Sequence, residues 1–296
     1  MAMPILEMKF ILAAGLIALL PATSQFPLAK RPGNTHPAPE TVTIAPRDFS
    51  YRIAGDYVKN GIPTDGPLVH TRLTAPLIIM KAQVSAADFA LCVSERACRP
   101  LPDRTAAADL PAVGVSWEDA SAYAKWLSAK TGQVWRLPTD TEWAFAAGSR
   151  FADDAIDTTD VDDFSKRWIA KYEKEAARGR SADRTPQPIG TFGENENGLV
   201  DLSGNVWEWT DTCFTRQTLD ASGAAGGELA GEPVVNCGVR VVEGQHRAYV
   251  SNFIRDARAG GCAVGAPPTN LGFRLVREVK PADLIASLLR RIGMRA

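Results

Sequence analysis

The clearest hydrophobic pattern lies in the middle of the chain. From Trp117 to about Lys130, apolar residues recur every three or four positions, which predicts an amphipathic helix. Ser116 is placed to cap its start and Gly132 to end it. Thr139 and Glu142 form a Thr-x-x-Glu capping box at the start of a second helix. We therefore expect Glu142 to be a cap rather than an acid or a ligand.

Weaker patterns predict the elements around these helices. Residues 77–80 are all apolar and indicate a buried strand, after which Ser85 is expected to cap a helix. A basic helix is predicted over 164–178, and a basic amphipathic helix over 280–296, which we interpret as a docking tail. Turn-forming residues are dense in 51–70, where no element is assigned.

The amino terminus has the pattern of a secretory signal peptide over residues 1–24. An apolar run over 10–20 follows a lysine and precedes a small-residue site with Ala22 and Ser24. The run is too short to span a membrane, so an uncleaved anchor is the less favoured alternative. Residues 25–48 are rich in proline and are interpreted as a linker. We expect a periplasmic protein in an oxidising compartment, without stable membrane insertion.

Composition narrows the functional classes. The chain of 296 residues is 45% hydrophobic, enough for a sizeable core. Its formal net charge of −1 argues against nucleic-acid binding, which needs a clear basic excess. Aspartates cluster over 153–163 without the spacing or closing glutamate of an EF-hand, so we expect a solvated acidic loop there.

Residues 198–210 contain the most unusual motif. Trp207 and Trp209 flank Glu208, and in a strand both indoles would lie on one face and the carboxylate on the other. A Ser-Gly-Asn turn precedes them and follows Asp201. Two carboxylates beside a carbonyl-rich turn are ligands that calcium prefers. The alternative, which composition alone favours, is that the tryptophans are core and Glu208 is an exposed strand residue.

The wording of this motif, Gly-Asn-Val-Trp-Glu-Trp, resembles the signature of the formylglycine-generating enzyme, or sulfatase-modifying factor, family. Two further stretches match in the same order: residues 115–120 continuing into 136–143, and residues 271–275. The resemblance covers roughly 70–277. It implies an irregular α+β fold, C-type-lectin-like at its centre and low in regular secondary structure, over residues 49–279.

The resemblance also implies a structural calcium site. Its ligands would be the side chains of Asp201 and Glu208 and the carbonyl groups of Gly204 and Val206. Any redox metal stays unspecified.

The five cysteines suggest disulfides. Cys92 and Cys98 are too far apart for usual metal spacing, and similar pairs in exported relatives imply a structural disulfide. Cys213 and Cys237 would meet across a hairpin, leaving Cys262 unpaired. Pairing of Cys237 with Cys262 stays open.

One expected feature of the family is missing from the sequence. In the family, a strand resembling Arg-x-x-x-Gly-Gly-Ser leads into two cysteines that hold copper(I), which prefers soft thiolates. The matching stretch here, residues 240–255, contains no cysteine, and Gly-Gly-Ser has become Gly244-Gln245-His246. We therefore predict that this protein does not make formylglycine.

The polar residues of this stretch and its surroundings are the remaining candidates. We assign His246 and Arg255 as candidate catalytic residues and Trp207 as the wall of a substrate cleft. The other predicted cleft contacts are Arg247, Tyr249, Asn252 and Arg258. An iron site would need a second histidine and a carboxylate, and His70 is far away in sequence. Arg255 and Arg258 are equally well explained as internal salt-bridge partners.

Two functions follow from the resemblance. The first is an exported oxidase or maturation enzyme, an oxidoreductase acting without thiolates on a peptide-like or metabolite substrate. The second is a non-catalytic binding or accessory protein for a periplasmic enzyme, for example a nitrite reductase system, which some exported family members resemble. The expected partner is thus a peptide, a protein substrate or a periplasmic enzyme. Fold analogy alone does not choose between them.

Overall fold

The computed structural model describes residues 37–102, 106–156, 164–181, 185–220, 229–255 and 270–279. All of these residues belong to one compact unit, Asn34–Ala296. Its helices are α1 (Ala86–Ser94), α2 (Trp117–Thr131), α3 (Asp140–Ala147) and α4 (Phe164–Ser181). Within the described ranges, no helix combines the length and the apolar composition needed to cross a membrane.

The strands form three small sheets. In chain order they are β1 (Thr41–Ile44), β2 (Asp48–Arg52), β3 (Asp56–Lys59), β4 (Ile62–Thr64), β5 (Leu68–Arg72), β6 (Leu77–Met80), β7 (Trp135–Arg136), β8 (Trp207–Leu219), β9 (Leu229–Glu243), β10 (Ala248–Ser251), β11 (Leu271–Gly272) and β12 (Val276–Arg277). One sheet has the order β1-β6-β12-β7, and a second pairs β2 with β5. The largest has the order β10-β9-β8-β3-β4, with β11 beside β8.

The predicted helix starts are confirmed. Ser116 Oγ accepts from the Asp119 backbone N–H at 3.2 Å, and Asp119 Oδ2 accepts from the Ser116 N–H at 2.9 Å. Gly132 ends α2 with a φ of 65°, a left-handed conformation that favours glycine. At α3, Thr139 and Glu142 form the expected capping box, and Glu142 also pairs with Arg136 at 2.7 Å. Local hydrogen-bonding chemistry thus sets where these helices begin.

The linker prediction is wrong at its carboxyl end. β1 lies inside the predicted linker and pairs along its whole length with β6. Four strands, β2 to β5, occupy the stretch in which sequence patterns assigned no element. Short strands in proline- and turn-rich sequence are specified by their pairing partners rather than by local propensity. The predicted signal peptide and the helix over 280–296 lie outside the described residues.

Both predicted disulfides are present. Cys92 and Cys98 are joined at the end of α1, with a Cα–Cα distance of 5.3 Å. Cys213 and Cys237 are joined across β8 and β9, with a Cα–Cα distance of 4.5 Å. This pairing resolves the alternative that sequence left open for Cys237, while Cys262 lies outside the described residues.

The β8 strand runs between two hydrophobic clusters. Trp209 is fully buried in the larger cluster together with Phe89, Tyr123 and Phe273, and Trp207 packs against it. The smaller cluster gathers Trp143, Phe145 and Leu199 from the region around α3. Because both faces of the start of β8 are covered, Glu208 is also fully buried. The alternative from composition, an exposed Glu208, is therefore wrong.

Candidate functional site

The Glu208 carboxylate binds four donors. Its Oε2 accepts from Arg274 Nε at 2.6 Å and from Trp143 Nε1 at 2.9 Å. Its Oε1 accepts from Arg274 Nη2 and from Gln83 Nε2, each at 2.8 Å. Arg274 and Glu208 are both buried, so their opposite charges compensate each other away from water. A carboxylate offers about four acceptor positions, and here all four are used.

The Asp201 carboxylate accepts hydrogen bonds from two backbone N–H groups. Its Oδ2 accepts from the Gly190 N–H at 2.6 Å and its Oδ1 from the Phe192 N–H at 2.8 Å. The Phe192 ring lies on Gly204, where a Cβ would come within 2.6 Å of the ring. Asp201 therefore fixes the loop that closes over the turn of the tryptophan motif.

These contacts decide how well the predicted calcium ligands fit the ion. A cation bound by Glu208 would have to displace Gln83, Trp143 or the Arg274 fork, and Arg274 already supplies the positive charge. As the side chains stand, Asp201, Glu208 and the carbonyl groups of Gly204 and Val206 do not fit calcium. Calcium binding stays a prediction from the resemblance, and no functional step is derived from it.

A second buried charged cluster surrounds Arg247. Its Nε donates to Glu243 Oε1 at 2.8 Å, its Nη2 lies 3.3 Å from both oxygens of Asp140, and its Nη1 lies 3.5 Å from Asp154 Oδ1. The Arg247, Glu243 and Asp140 side chains are at most 1% exposed. The Tyr51 hydroxyl also donates to Asp140. Arg247 is therefore the internal counter-ion of several carboxylates rather than an open cleft residue.

Burial shapes the ionisation of this cluster, called here the Arg247 cluster. Burial raises the pKa of the Glu243 carboxyl well above its ordinary value; Arg247 opposes this rise and the Asp140 charge adds to it. Burial also raises the pKa of the Tyr249 hydroxyl, and the nearby Asp154 charge adds to the effect. Tyr249 donates to Asp154 Oδ2 at 3.1 Å and accepts from the Gly55 N–H at 2.8 Å. Both groups therefore favour their protonated forms.

Asp153 and Asp154 do not belong to a solvated loop as predicted. Asp153 pairs with Arg52 at 2.9 Å, and Asp154 connects the Arg247 cluster to a cavity of about 450 Å³. The cavity is lined by residues of β3, β4, the loop after α3, and α4. Aspartates 157, 160, 162 and 163 lie outside the described residues.

His246 and Arg255, the two predicted catalytic residues, lie in different surroundings. His246 is buried with its ring edge-to-face on Trp207, at 5.5 Å between centroids, and Trp207 Nε1 donates to the His246 carbonyl at 3.1 Å. Arg255 donates from Nε and Nη2 to both oxygens of Asp119, at 2.8 and 2.9 Å. For Arg255 the contacts favour the salt-bridge interpretation over the catalytic one.

The predicted cleft residues therefore divide among three places. Trp207 contacts His246, Tyr249 joins Arg247 through Asp154, and Asn252 lies beside the Cys213–Cys237 disulfide, with Nδ2 3.5 Å from the Cys237 carbonyl. Arg258 lies outside the described residues. His70 and His246 have different contact partners: His70 Nδ1 lies 2.9 Å from Ser50 Oγ on the β2–β5 pair, whereas the His246 ring contacts Trp207. In the described part of the chain, no three His, Cys, Asp or Glu side chains converge as metal ligands.

Sequence reasoning missed most partners of Arg247. Asp140 follows a helix cap and Asp154 belongs to an acidic run. Neither sequence context predicts a buried ion pair. Glu243 was visible as a polar residue near the Gly-Gln-His sequence, but nothing in the sequence linked it to Asp140. The contact between Arg247 and Asp140 joins residues 107 positions apart.

The comparisons with known proteins identify the family. A family model described as "Sulfatase-modifying factor enzyme 1-like domain" matches residues 25–279. The chain belongs to this family. Its α+β architecture, dominated by small sheets with few helices, is the sulfatase-modifying-factor fold that the resemblance implied.

Several curated members of the family are similar in sequence. The chain is 34% identical over 118 residues to the inactive Cα-formylglycine-generating enzyme 2 of Mus musculus, a match covering 36% of this chain and 33% of that protein. It is 28% identical over 196 residues to the formylglycine-generating enzyme of Streptomyces coelicolor, covering 62% and 56%. The chain thus spans about a third to just over half the length of these relatives.

Solved structures give weaker similarities. PvdO from Pseudomonas aeruginosa is 20% identical with a TM-score of 0.49, over 81% of this chain and 95% of that one. CarF is 18% identical with a TM-score of 0.48, over 82% and 99%.

Proposed function

We propose that this protein is a binding or accessory member of the sulfatase-modifying-factor family and does not form formylglycine. The main support is the condition of residues 240–255, the stretch that resembles the copper-binding segment of the family. It has no cysteine, and its arginines are used internally: Arg247 by buried carboxylates and Arg255 by Asp119. These contacts suit a scaffold element better than a reactive centre.

The disulfide between β8 and β9 supports the same proposal. Cys213 and Cys237 are joined to each other, so neither sulfur is a thiolate available to a soft metal. The name of the mouse relative describes an inactive enzyme, which agrees with a scaffold that persists without the activity. We further propose export to the periplasm, on the strength of the predicted signal peptide, and a peptide or periplasmic enzyme as partner.

The decisive experiment is a peptide oxidation assay. The mature protein is incubated with copper, oxygen and a Cys-x-Pro-x-Arg peptide, alongside an active formylglycine-generating enzyme as positive control. We expect mass spectrometry to show an unchanged cysteine with this protein and replacement of its sulfur by oxygen with the control. Conversion by this protein would overturn the proposal, and its loss in Cys213→Ala, Cys237→Ala or Cys262→Ala would show which cysteines supply the reactive thiolates.

Metal analysis of the purified protein provides a second, independent measurement. A copper or iron content near one equivalent per chain, with oxygen uptake on adding a peptide, would favour an oxidase of other chemistry. We expect neither.

A further inference from the structure

The cavity beside the Arg247 cluster has the features of a ligand site. Its volume of about 450 Å³ lies within the range of roughly 300–1,000 Å³ typical of small-ligand sites. Neither Trp207, His246 nor Arg255 lines it, so it is distinct from the cleft predicted from sequence. Asp154 and Tyr57 line it, and Trp168 of α4 contributes an indole that is 53% exposed.

Asp154 retains acceptor capacity toward this cavity. Its Oδ2 accepts one hydrogen bond, from Tyr249, and its Oδ1 is 3.5 Å from Arg247 Nη1, beyond a good hydrogen bond. A carboxylate has about four acceptor positions, so some remain for a ligand donor. The Asp154 side chain is 20% exposed, which makes it reachable from the cavity.

Charge around Asp154 favours a cationic donor. The other charged lining residues form pairs, Asp65 with Arg167 and Asp56 with Arg216. Behind Asp154, the single guanidinium of Arg247 is shared with Asp140 and Glu243.

We propose that this cavity binds a primary ammonium group on an apolar stem, with Asp154 as its anion and Trp168 and Tyr57 against the stem. A compact ammonium suits a carboxylate with one oxygen already in use better than a guanidinium, which prefers both oxygens. An indole face adds attraction for a cation. The ammonium could be carried by a lysine of a polypeptide or by a free alkylamine, and the test separates these sources. This inference rests on the proposed binding function and specifies its ligand.

The test is calorimetric titration of the mature chain with three probes. They are an acetylated and amidated Ala-Ala-Lys-Ala-Ala peptide, the same peptide with acetyl-lysine, and n-pentylammonium. We expect the lysine peptide to bind at least about tenfold more tightly than its acetylated counterpart, because acetylation removes the charge that Asp154 holds. Tighter binding of the peptide than of n-pentylammonium identifies a polypeptide ligand, and the reverse identifies a free amine.

Matched variants locate the binding to the cavity. Asp154→Asn should weaken the better probe about tenfold, and Trp168→Ala about three- to tenfold. Glu173→Gln and Ile169→Ala change exposed α4 residues that do not line the cavity and should bind as the wild type does. If Asp154→Asn does not fold, Trp168→Ala carries the test, because its exposed ring can be removed with little effect on folding.

Equal affinity for the two peptides, no saturable binding of either amine, or wild-type affinity in folded Asp154→Asn and Trp168→Ala would each overturn the inference. Its failure is distinguishable from failure of the proposed function. If the protein oxidises the peptide and still binds the ammonium probe, only the proposed function is overturned. If the protein neither oxidises the peptide nor binds the ammonium probe, only the ligand assignment is overturned.

Discussion

Arg247 donates a hydrogen bond from Nε to Glu243 Oε1 at 2.8 Å, and both side chains are entirely closed to solvent. Glu243 is the last residue of β9, and Arg247 lies four residues on, in the connection to β10, so that both side chains reach toward α3 and Asp140. Isolated from water, each charge depends on its partners. The stretch that resembles the reactive segment of the family is here part of the structural core.

Replacing the arginine should therefore destabilise the fold. We expect Arg247→Met to lower the free energy of unfolding by about 3–5 kcal/mol, because the buried Asp140 carboxylate loses the guanidinium that compensates its charge. Urea denaturation measures the change. The matched control is Arg216→Met, whose exposed pair with Asp56 should contribute less than about 1 kcal/mol. Similar losses in both variants would contradict a structural role specific to Arg247.

Because of Glu243, the free energy of unfolding should decrease as the pH rises. Burial raises its pKa in the folded state above the ordinary value of 4.5, so the folded protein keeps this proton over a range where the unfolded chain releases it. The resulting stabilisation is complete below 4.5 and is lost as the pH rises through the folded-state pKa.

The Glu243→Gln variant isolates this effect, because it cannot release the proton. We expect the free energy of unfolding of the wild type, relative to that of this variant, to decrease as the pH rises above 4.5, measured by urea denaturation at each pH. A difference that stays constant, or one that grows in favour of the wild type, would show that Glu243 is ionised throughout.

Chelation tests the calcium prediction directly. Because Glu208 is fully used by Arg274, Gln83 and Trp143, we expect a calcium chelator to leave the thermal unfolding temperature unchanged. Glu208→Ala should destabilise the protein by about 3–5 kcal/mol with or without calcium, since it leaves Arg274 buried and unpaired. A chelator-dependent fall in the wild type that is absent in Asp201→Ala would restore the calcium site.

Thiol counting tests the disulfides. With Cys92–Cys98 and Cys213–Cys237 joined, one of the five cysteines remains. Alkylation of the denatured, non-reduced protein followed by mass spectrometry should modify one thiol per chain. Three modified thiols would mean that one bridge does not form, and none would indicate an intermolecular bridge.

The sequence by itself determined the local features and the family. Ser116 and Thr139 specify where helices begin because a cap needs only residues within one turn. The tryptophan motif and the two stretches that accompany it identified the fold, because their wording and order are specific. The lack of cysteine in residues 240–255 was likewise plain from the sequence.

Tertiary structure decided what the charged residues do. Alternation in β8 correctly separates Glu208 from the tryptophans, but whether its face meets water or core depends on Trp143 and on Arg274, 65 and 66 positions away. Arg247 looked like a cleft residue until Asp140, 107 positions away, supplied its partner. A buried charge is defined by groups that only the completed fold assembles, because in the unfolded chain water solvates each of them equally well.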